Sequence, residues 1–419
     1  MIPTNQTYPD PINKPQIITR EALSNTIAKL SPYKAPGPDG ICNVVFKECA
    51  EVLSPHLLHL FQTTISLNIF YKPWQQFTMV VLCKSGKPDY TVPKAYCPIA
   101  LLNTTYKLLS AIIAEHLSFI IEKHNLLPDT HFGGRPGRST TDSLHLLEAT
   151  IKNAWRSHKV VSVLFPNIEG AFPNAVTDRL LHNMRSRHIP ESIIAFMQRA
   201  LTNRHMKLKF NRYLFQEWIP INNGIGQGDP LSMILYIIYN ADLLVVPKGR
   251  ECTKKTQAFV DDTMLLAISK DFSETHTILK DMIEREGRGY DWAKAHNSKF
   301  EMSKFALMDF SPQAKRERPT MNLRGTTLTP TPQHKFLGVI IDHTLRWDAQ
   351  VSHVIAKGTA YTIQLKRLST ASNGIPLALM HWLYLAIAIP KMLYAVDVWY
   401  RPIYIGKDNE TQPGSISIA

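Results

Sequence analysis

Several features are scarce in this sequence, and each shortage excludes something. Cysteine appears five times in 419 residues, as Cys42, Cys49, Cys83, Cys97 and Cys252, with no C-x-x-C spacing. An odd, scattered set of this kind excludes a disulfide scaffold, offers no zinc-ligand pattern and predicts a reducing compartment. Long apolar runs are also missing. The longest, "LSMILYIIY" (231–239) and "WLYLAIAI" (382–389), fall well short of the roughly 20 residues that cross a bilayer. The opening "MIPTNQTYPDPINKPQ" is polar and proline-rich, unlike a secretory leader. Acid is the scarcer charge: 34 Asp and Glu stand against 47 Lys and Arg, a formal net charge of +13. That balance favours a polyanionic partner, nucleic acid ahead of a membrane, with an ordinary basic protein as the plainer reading. The expectation is a soluble protein of nucleus or cytoplasm.

What is present suffices for one large core or two modest ones, since 44% of the residues are hydrophobic. Residues 1–18 read as a flexible arm. Thr19 is a suitable N-cap for a helix that stops before the Pro/Gly turn "KAPGPDG" (34–40). Helical periodicity over 43–70 gives way to a β-branched strand at 77–84, then to an amphipathic helix at 106–124. A glycine- and arginine-rich loop, "HFGGRPGRST", leads to a helix over 141–156 and a buried strand over 160–165. One helix is predicted over 176–201, then the strand "MKLKF", a helix over 230–246 and strand–turn–strand over 256–269. A helix over 272–296, the strands "FALMDF" and "HKFLGVIID", and mostly helix to about 400 complete the reading. Strands and helices mixed without regular alternation indicate an α+β fold.

Four stretches carry candidate chemistry. In "FVDD" (259–262), Asp261 and Asp262 lie between two apolar strands. They form either a solvated hairpin tip or a cation site, because a turn lets both carboxylates approach one metal. "NGIGQGDPLS" (223–232) puts glycines and a glutamine at a helix entry, either a simple loop or a place where backbone comes close to a flat ligand. Lys84 and Lys87 in "VLCKSGKPDY" sit on a turn suited to phosphate, or are merely solvated. Arg135 and Arg138 on their glycine loop suit a phosphate backbone.

Eight stretches occur in an order that resembles one family. They are "YKAPGPDGI", "YCPIALLNTTYKLLSAI", "FGGRPGRSTTDSL", "VLFPNIEGAFPN", "NGIGQGDPLSMILY", "AFVDDTMLL", "SKFEMSKFALMDF" and "KFLGVIID". Together they resemble the reverse transcriptase domain of non-LTR (LINE-type) retrotransposons of the kind common in fungi, over about residues 25–402. The resemblance implies a right-hand polymerase: a flexible arm at 1–18, fingers with an N-terminal extension at 19–158, a palm at 159–342, a helical thumb at 343–402 and a disordered tail at 403–419. It implies an RNA template, a DNA primer, deoxynucleoside triphosphates and two Mg²⁺ (or Mn²⁺) ions, used in two-metal displacement. Asp261, and secondarily Asp262, match the paired metal-binding acids. Phe172 matches the aromatic residue that excludes a ribose 2′-hydroxyl. Gly226, Gln227 and Gly228 match the loop that packs on template and nucleotide. Lys84 matches a lysine on the triphosphate, and Lys304 one that protonates pyrophosphate. Residues 336–342 match the primer grip. A basic groove of Arg135, Arg138, Arg204, Lys207, Lys209 and Arg212 is expected to hold nucleic acid.

The chain departs from that pattern in places that matter. Asn167 stands where the family places its first metal-binding aspartate, and Pro166 where it places leucine. Cys97 replaces an arginine on the triphosphate, and Cys83 and Ser85 replace an arginine and a proline. Asparagine supplies an oxygen without charge, proline is disfavoured inside a central strand, and cysteine cannot make a bidentate phosphate contact. Glu169, two residues beyond Asn167, points the same way in a regular strand, yet the family does not use it as the main ligand. The expectation is a polymerase fold with impaired catalysis. The alternatives are a nucleic-acid-binding remnant without chemistry, or a relic of marginal stability.

Overall fold

The computed structural model describes residues 6–12, 17–245, 252–369, 374–400, 404–405 and 411–412. The chain divides into two compact units, each assembled from separated stretches. One unit comprises Met1–Gly137, Ile168–Val245 and Glu286–Phe300; the other comprises Arg138–Asn167, Val246–Arg285 and Glu301–Ala419. The contiguous segments expected from sequence therefore do not coincide with these units. No helix among the described residues is long and apolar enough to cross a membrane.

The second unit is built on a four-stranded antiparallel sheet. Its strand order is Ala306–Phe310, Val160–Phe165, Asp262–Ser269, Lys254–Phe259. Val160–Phe165 is flanked on both sides, and all six of its residues are buried. This is why the stretch reads as a continuous β-branched and aromatic run rather than an alternating one. The helix Thr140–Arg156 is started by a capping box, in which Ser139 and Asp142 each bond the other's backbone N–H. Its buried residues Leu144, Leu147 and Ile151 join Val161, Val163, Met308 and Phe310 in one core. Full burial of each such aliphatic side chain contributes about 1.5–3 kcal/mol. On the sheet, Asp309 is paired opposite Ser162 and fully buried. Its carboxylate accepts from Ser162 Oγ at 2.6 Å and lies 2.9 Å from His276 Nε2, so the buried acid is partnered. The hairpin Gln333–Phe336 with Val339–Asp342 and the long helix Asp348–Leu368 follow, and Trp347 is buried at their junction.

The first unit carries a mixed five-stranded sheet. Gln76–Cys83 pairs antiparallel with Tyr96–Leu101 and parallel with Arg204–Phe210, and Tyr213–Leu214 and Ile219–Ile221 extend the sheet from the latter strand. The helices Thr104–Lys123 and Ser232–Asn240 supply much of the buried apolar surface.

The helix expected over 176–201 is two helices, Thr177–Arg185 and Glu191–Leu201, parted where His188 takes a positive φ and Pro190 lacks a donor. The stretch 43–70 likewise divides into Asn43–Glu48 and Ala50–Ser66. The stretch 272–296 divides into Phe272–Glu284 and Gly289–Ala295. Described residues of the expected flexible arm are tied down: Tyr8 Oη lies 2.9 Å from His182 Nδ1, and the Ile12 amide donates to the His188 carbonyl at 2.9 Å. The expected disordered tail, 403–419, lies outside the described residues apart from the short paired strands Tyr404–Ile405 and Thr411–Gln412.

Candidate active site

The acids of "FVDD" are presented by a tight hairpin. The strands Lys254–Phe259 and Asp262–Ser269 are closed by the pair Phe259–Asp262, which leaves Val260 and Asp261 as a two-residue turn. Val260 has φ of 60°, a conformation that a β-branched residue rarely takes and that surrounding structure must enforce. The turn sets two carboxylates side by side at the sheet's end. Both side chains have exposed surface, but protein crowding removes much of the bulk water around them. That loss raises the Asp261 carboxyl above its usual range. It raises Asp262 to about 6, with the like charge of Asp261 adding to the effect.

On the neighbouring strand, Phe165 is the last paired residue, opposite Ala306. Pro166 therefore follows the ladder rather than interrupting it, and the lost backbone donor expected from sequence does not arise. Asn167 comes next, and its backbone carbonyl accepts from the Glu301 amide at 2.9 Å. Glu301 in turn accepts from Lys304 Nζ at 2.5 Å. Asn167 and Lys304 wall a cavity of about 180 Å³ together with Pro166, Asp262 and Thr263, and with His334 to Leu337 from the adjoining hairpin. Asp262, rather than Asp261, is the acid on this wall. The hairpin turn Leu337–Gly338 has positive φ at both residues. Tyr394 Oη donates to the Leu337 carbonyl at 2.9 Å and holds that turn in place.

The side-chain oxygens at this cavity are hard donors, the Asp262 carboxylate and the Asn167 amide, with Asp261 the preceding residue of the hairpin turn, a set that suits Mg²⁺ or Mn²⁺ rather than a softer metal. Among the described residues no three His, Cys, Asp or Glu side chains gather to form a metal cluster. The set fits a divalent cation with one carboxylate fewer than the matching motif supplies. Glu169 belongs to the other unit, where its carboxylate lies 3.9 Å from both Lys94 and Lys299.

The residues expected at the nucleotide belong to the other unit. The loop Gly226–Gln227–Gly228 is seated on the strand Tyr96–Leu101, where the Ala100 amide donates to the Gln227 carbonyl at 2.7 Å. Gly228 has φ of 116°, and a Cβ there would stand 2.5 Å from the Ala100 carbonyl oxygen, so only glycine fits. Cys97 Sγ lies 3.8 Å from Gln227 Oε1, which puts Cys97 directly beside the loop. Asp229 ends the loop, half-buried, and accepts from Tyr106 Oη at 2.6 Å and from Ser110. Burial raises its carboxyl, which these bonds and Arg204 partly offset. Phe172 stacks on Tyr236 with ring centroids 4.7 Å apart. Lys84 is exposed on its turn, with Nζ 3.3 Å from the Lys94 carbonyl.

The expected basic groove is divided. Arg135 is only 4% exposed, forks onto both oxygens of Glu122 at 2.6 and 2.9 Å and donates to the Pro128 carbonyl. Arg204 is buried and donates to the carbonyls of Leu201, Asn223 and Gly224. Both arginines act within the fold. Lys207, Lys209 and Arg212 lie on or beside a sheet strand with solvent access, and Arg138 is half-buried at the end of its loop. His334 and Lys335 are cavity residues that the sequence reading does not single out; their adjacency to "FLGVIID" is the signal that marks them.

The model for "Reverse transcriptase (RNA-dependent DNA polymerase)" matches residues 84–341. The chain belongs to the reverse transcriptase family. Its fold is therefore the α+β right-hand polymerase, and its family works with divalent metal ions. It is similar to the Drosophila melanogaster "Probable RNA-directed DNA polymerase from transposon BS", 25% identical over 90% of this chain and 42% of that protein. It is also similar to the "RNA-directed DNA polymerase from mobile element jockey" of the same fly, 23% identical over 91% of this chain and 41% of that one. These are non-LTR elements, the class that the motif order indicated. The chain spans about two fifths of the length of these relatives. A solved Candida tropicalis telomerase in complex with a fragment of telomeric RNA is similar at TM-score 0.46 and 11% identity, covering 85% of this chain and 58% of that one.

Proposed function

We propose that this chain is the polymerising domain of a non-LTR element, shaped for RNA-templated DNA synthesis and impaired at Asn167 and Cys97. The observation that carries the reading is the cavity that gathers Asn167, Asp262 and Lys304. It pairs an acid and a lysine with a neutral amide where the matching motif has a second acid. A divalent ion held there would activate a primer hydroxyl and steady the leaving pyrophosphate. In this reading Asp261 and Asp262 hold the ion, Asn167 contributes one oxygen, and Lys304 delivers a proton to the departing pyrophosphate. On the other unit, the Gly226–Gly228 loop meets the nucleotide, Phe172 checks its sugar and Lys84 contacts its triphosphate. Cys97 leaves a phosphate without the fork of an arginine.

Loss of a ligand carboxylate of this kind removes several kcal/mol of transition-state stabilisation, and each 1.36 kcal/mol is about tenfold in rate. A second reading, binding without chemistry, is favoured by the absence of a three-ligand cluster among the described residues. Primer extension on an RNA template, with Mg²⁺ and then Mn²⁺, separates the two. The native chain is expected to be silent or nearly so, Asn167→Asp to extend primer, and Asn167→Asp with Cys97→Arg to extend it further. Equal extension by the native chain would overturn the role given to Asn167. Silence from all three would favour binding alone.

A further inference from the structure

The sheet of the first unit carries a feature outside the site described above. Five aromatic side chains form a row across one face of its outer end. Tyr96 is paired opposite Cys83, and Phe210 opposite both Val81 and Tyr213, so Tyr96, Phe210 and Tyr213 share a face. The rings of Tyr96 and Phe210 meet at 5.5 Å. Tyr90 continues the row at 6.3 Å from Tyr96, and Phe215 lies 4.9 Å from Tyr213, edge to face. Tyr213, Phe215 and Tyr90 are 64%, 43% and 42% exposed, unusual for rings that a sheet normally hides.

Two of the rings are anchored by their hydroxyls. Tyr96 Oη donates to the Tyr90 carbonyl at 2.7 Å and Tyr90 Oη to the Lys84 carbonyl at 2.9 Å. Basic turns bracket the row. Lys84 and Lys87 precede Tyr90, and Arg212 occupies the turn between Phe210 and Tyr213. Of the nearby acids, Asp89 is engaged with the Thr91 amide and hydroxyl at 2.7 Å, and Glu217 lies beyond the row. On the opposite face Lys207 stands 5.0 Å over the Trp218 ring.

We propose that this aromatic row is a stacking platform for a single-stranded polynucleotide. Every base has a π-face, so fixed aromatic rings bind without reading sequence, while bracketing cations track the phosphates. A duplex hides its base faces and cannot use the rings. Such binding requires no turnover, so it stands whether or not the metal site of the other unit is competent.

The test is fluorescence anisotropy of the full chain with a labelled uridine 12-mer, a thymidine 12-mer and a blunt duplex of equal length, over a salt series. Single strands are expected to bind tighter than the duplex. Tyr213→Ala with Phe215→Ala should weaken single-strand binding about tenfold. Its log–log salt slope should stay unchanged, because stacking releases no counterions. Arg212→Gln should instead flatten the slope by about 0.7, the share of one single-strand phosphate contact. Tyr213→Phe should bind like the native chain, since it keeps the π-face. The exposed variants should melt with the native chain, which checks folding. The proposal is overturned if the double variant binds normally, if its loss comes with a flattened slope, if duplex binds as tightly as single strand, or if the native chain binds neither at low salt.

Discussion

At the scale of single residues, the site turns on which carboxylates carry charge. Burial raises Asp262 to about 6 from its ordinary value of 3.8. Between those values the folded chain binds more protons than the unfolded one, so stability falls as pH rises through that window. Each pKa unit corresponds to about 1.36 kcal/mol, but the side chain has exposed surface and solvent screening reduces the effect. Asp262→Asn is therefore expected to stabilise the metal-free protein by about 1 kcal/mol at pH 7.5, with the gain vanishing below pH 4. Urea unfolding at the two pH values checks this. A gain of equal size at both would mean that the carboxyl is not perturbed by its surroundings. Two arginines from one loop should behave differently for a similarly local reason. Removing Arg135 strands a partly buried Glu122, a loss of about 3 kcal/mol, whereas Arg138→Ala should change stability by less than about 1 kcal/mol.

At the scale of elements, glycine and proline give the sharpest expectations. A Cβ on Gly228 would stand 2.5 Å from the Ala100 carbonyl oxygen, at a residue with positive φ, while a Cβ on Gly226 meets only the Ala100 methyl at 3.9 Å. Gly228→Ala should cost about 2 kcal/mol or more, and Gly226→Ala less than about 1. Equal denaturation midpoints for the two variants would contradict the seating of the loop. Much of this scale is legible in the sequence. "VVSVLF" could be nothing but a buried strand, and "FVDD" between apolar runs announced its hairpin. Residues 176–201 read as one helix because apolar periodicity resumes after Pro190, so the break leaves only a proline and no gap in pattern. Arg135 and Arg204 look in sequence like any surface cation. Their burial depends on Glu122 and on three carbonyls brought near by the fold. Asp309 and His276 were passed over for the same reason, since neither names its partner. Pro166 shows the converse: an alarming residue made harmless by lying one step past the ladder.

At the scale of the whole molecule, the impairment proposed from Asn167 raises the question of whether the structure has decayed as well. The strongest sequence argument for structural decay was a proline within the central strand, and that strand ends at Phe165. Each unit keeps its own sheet and its own covering helices, and the buried polar network of Ser162, Asp309 and His276 is partnered on all sides that matter. A sequence drifting without constraint loses such networks early, because one missing partner leaves a buried acid whose desolvation is uncompensated. Differential scanning calorimetry should therefore show cooperative unfolding with an enthalpy near 0.7 kcal/mol per residue at about 60 °C, typical of well-packed proteins. A broad trace with a small fraction of that heat would mean that the fold has decayed together with the catalytic acid. A sharp trace from a chain that extends no primer would locate the decay in the site alone, in two substitutions on a sound scaffold.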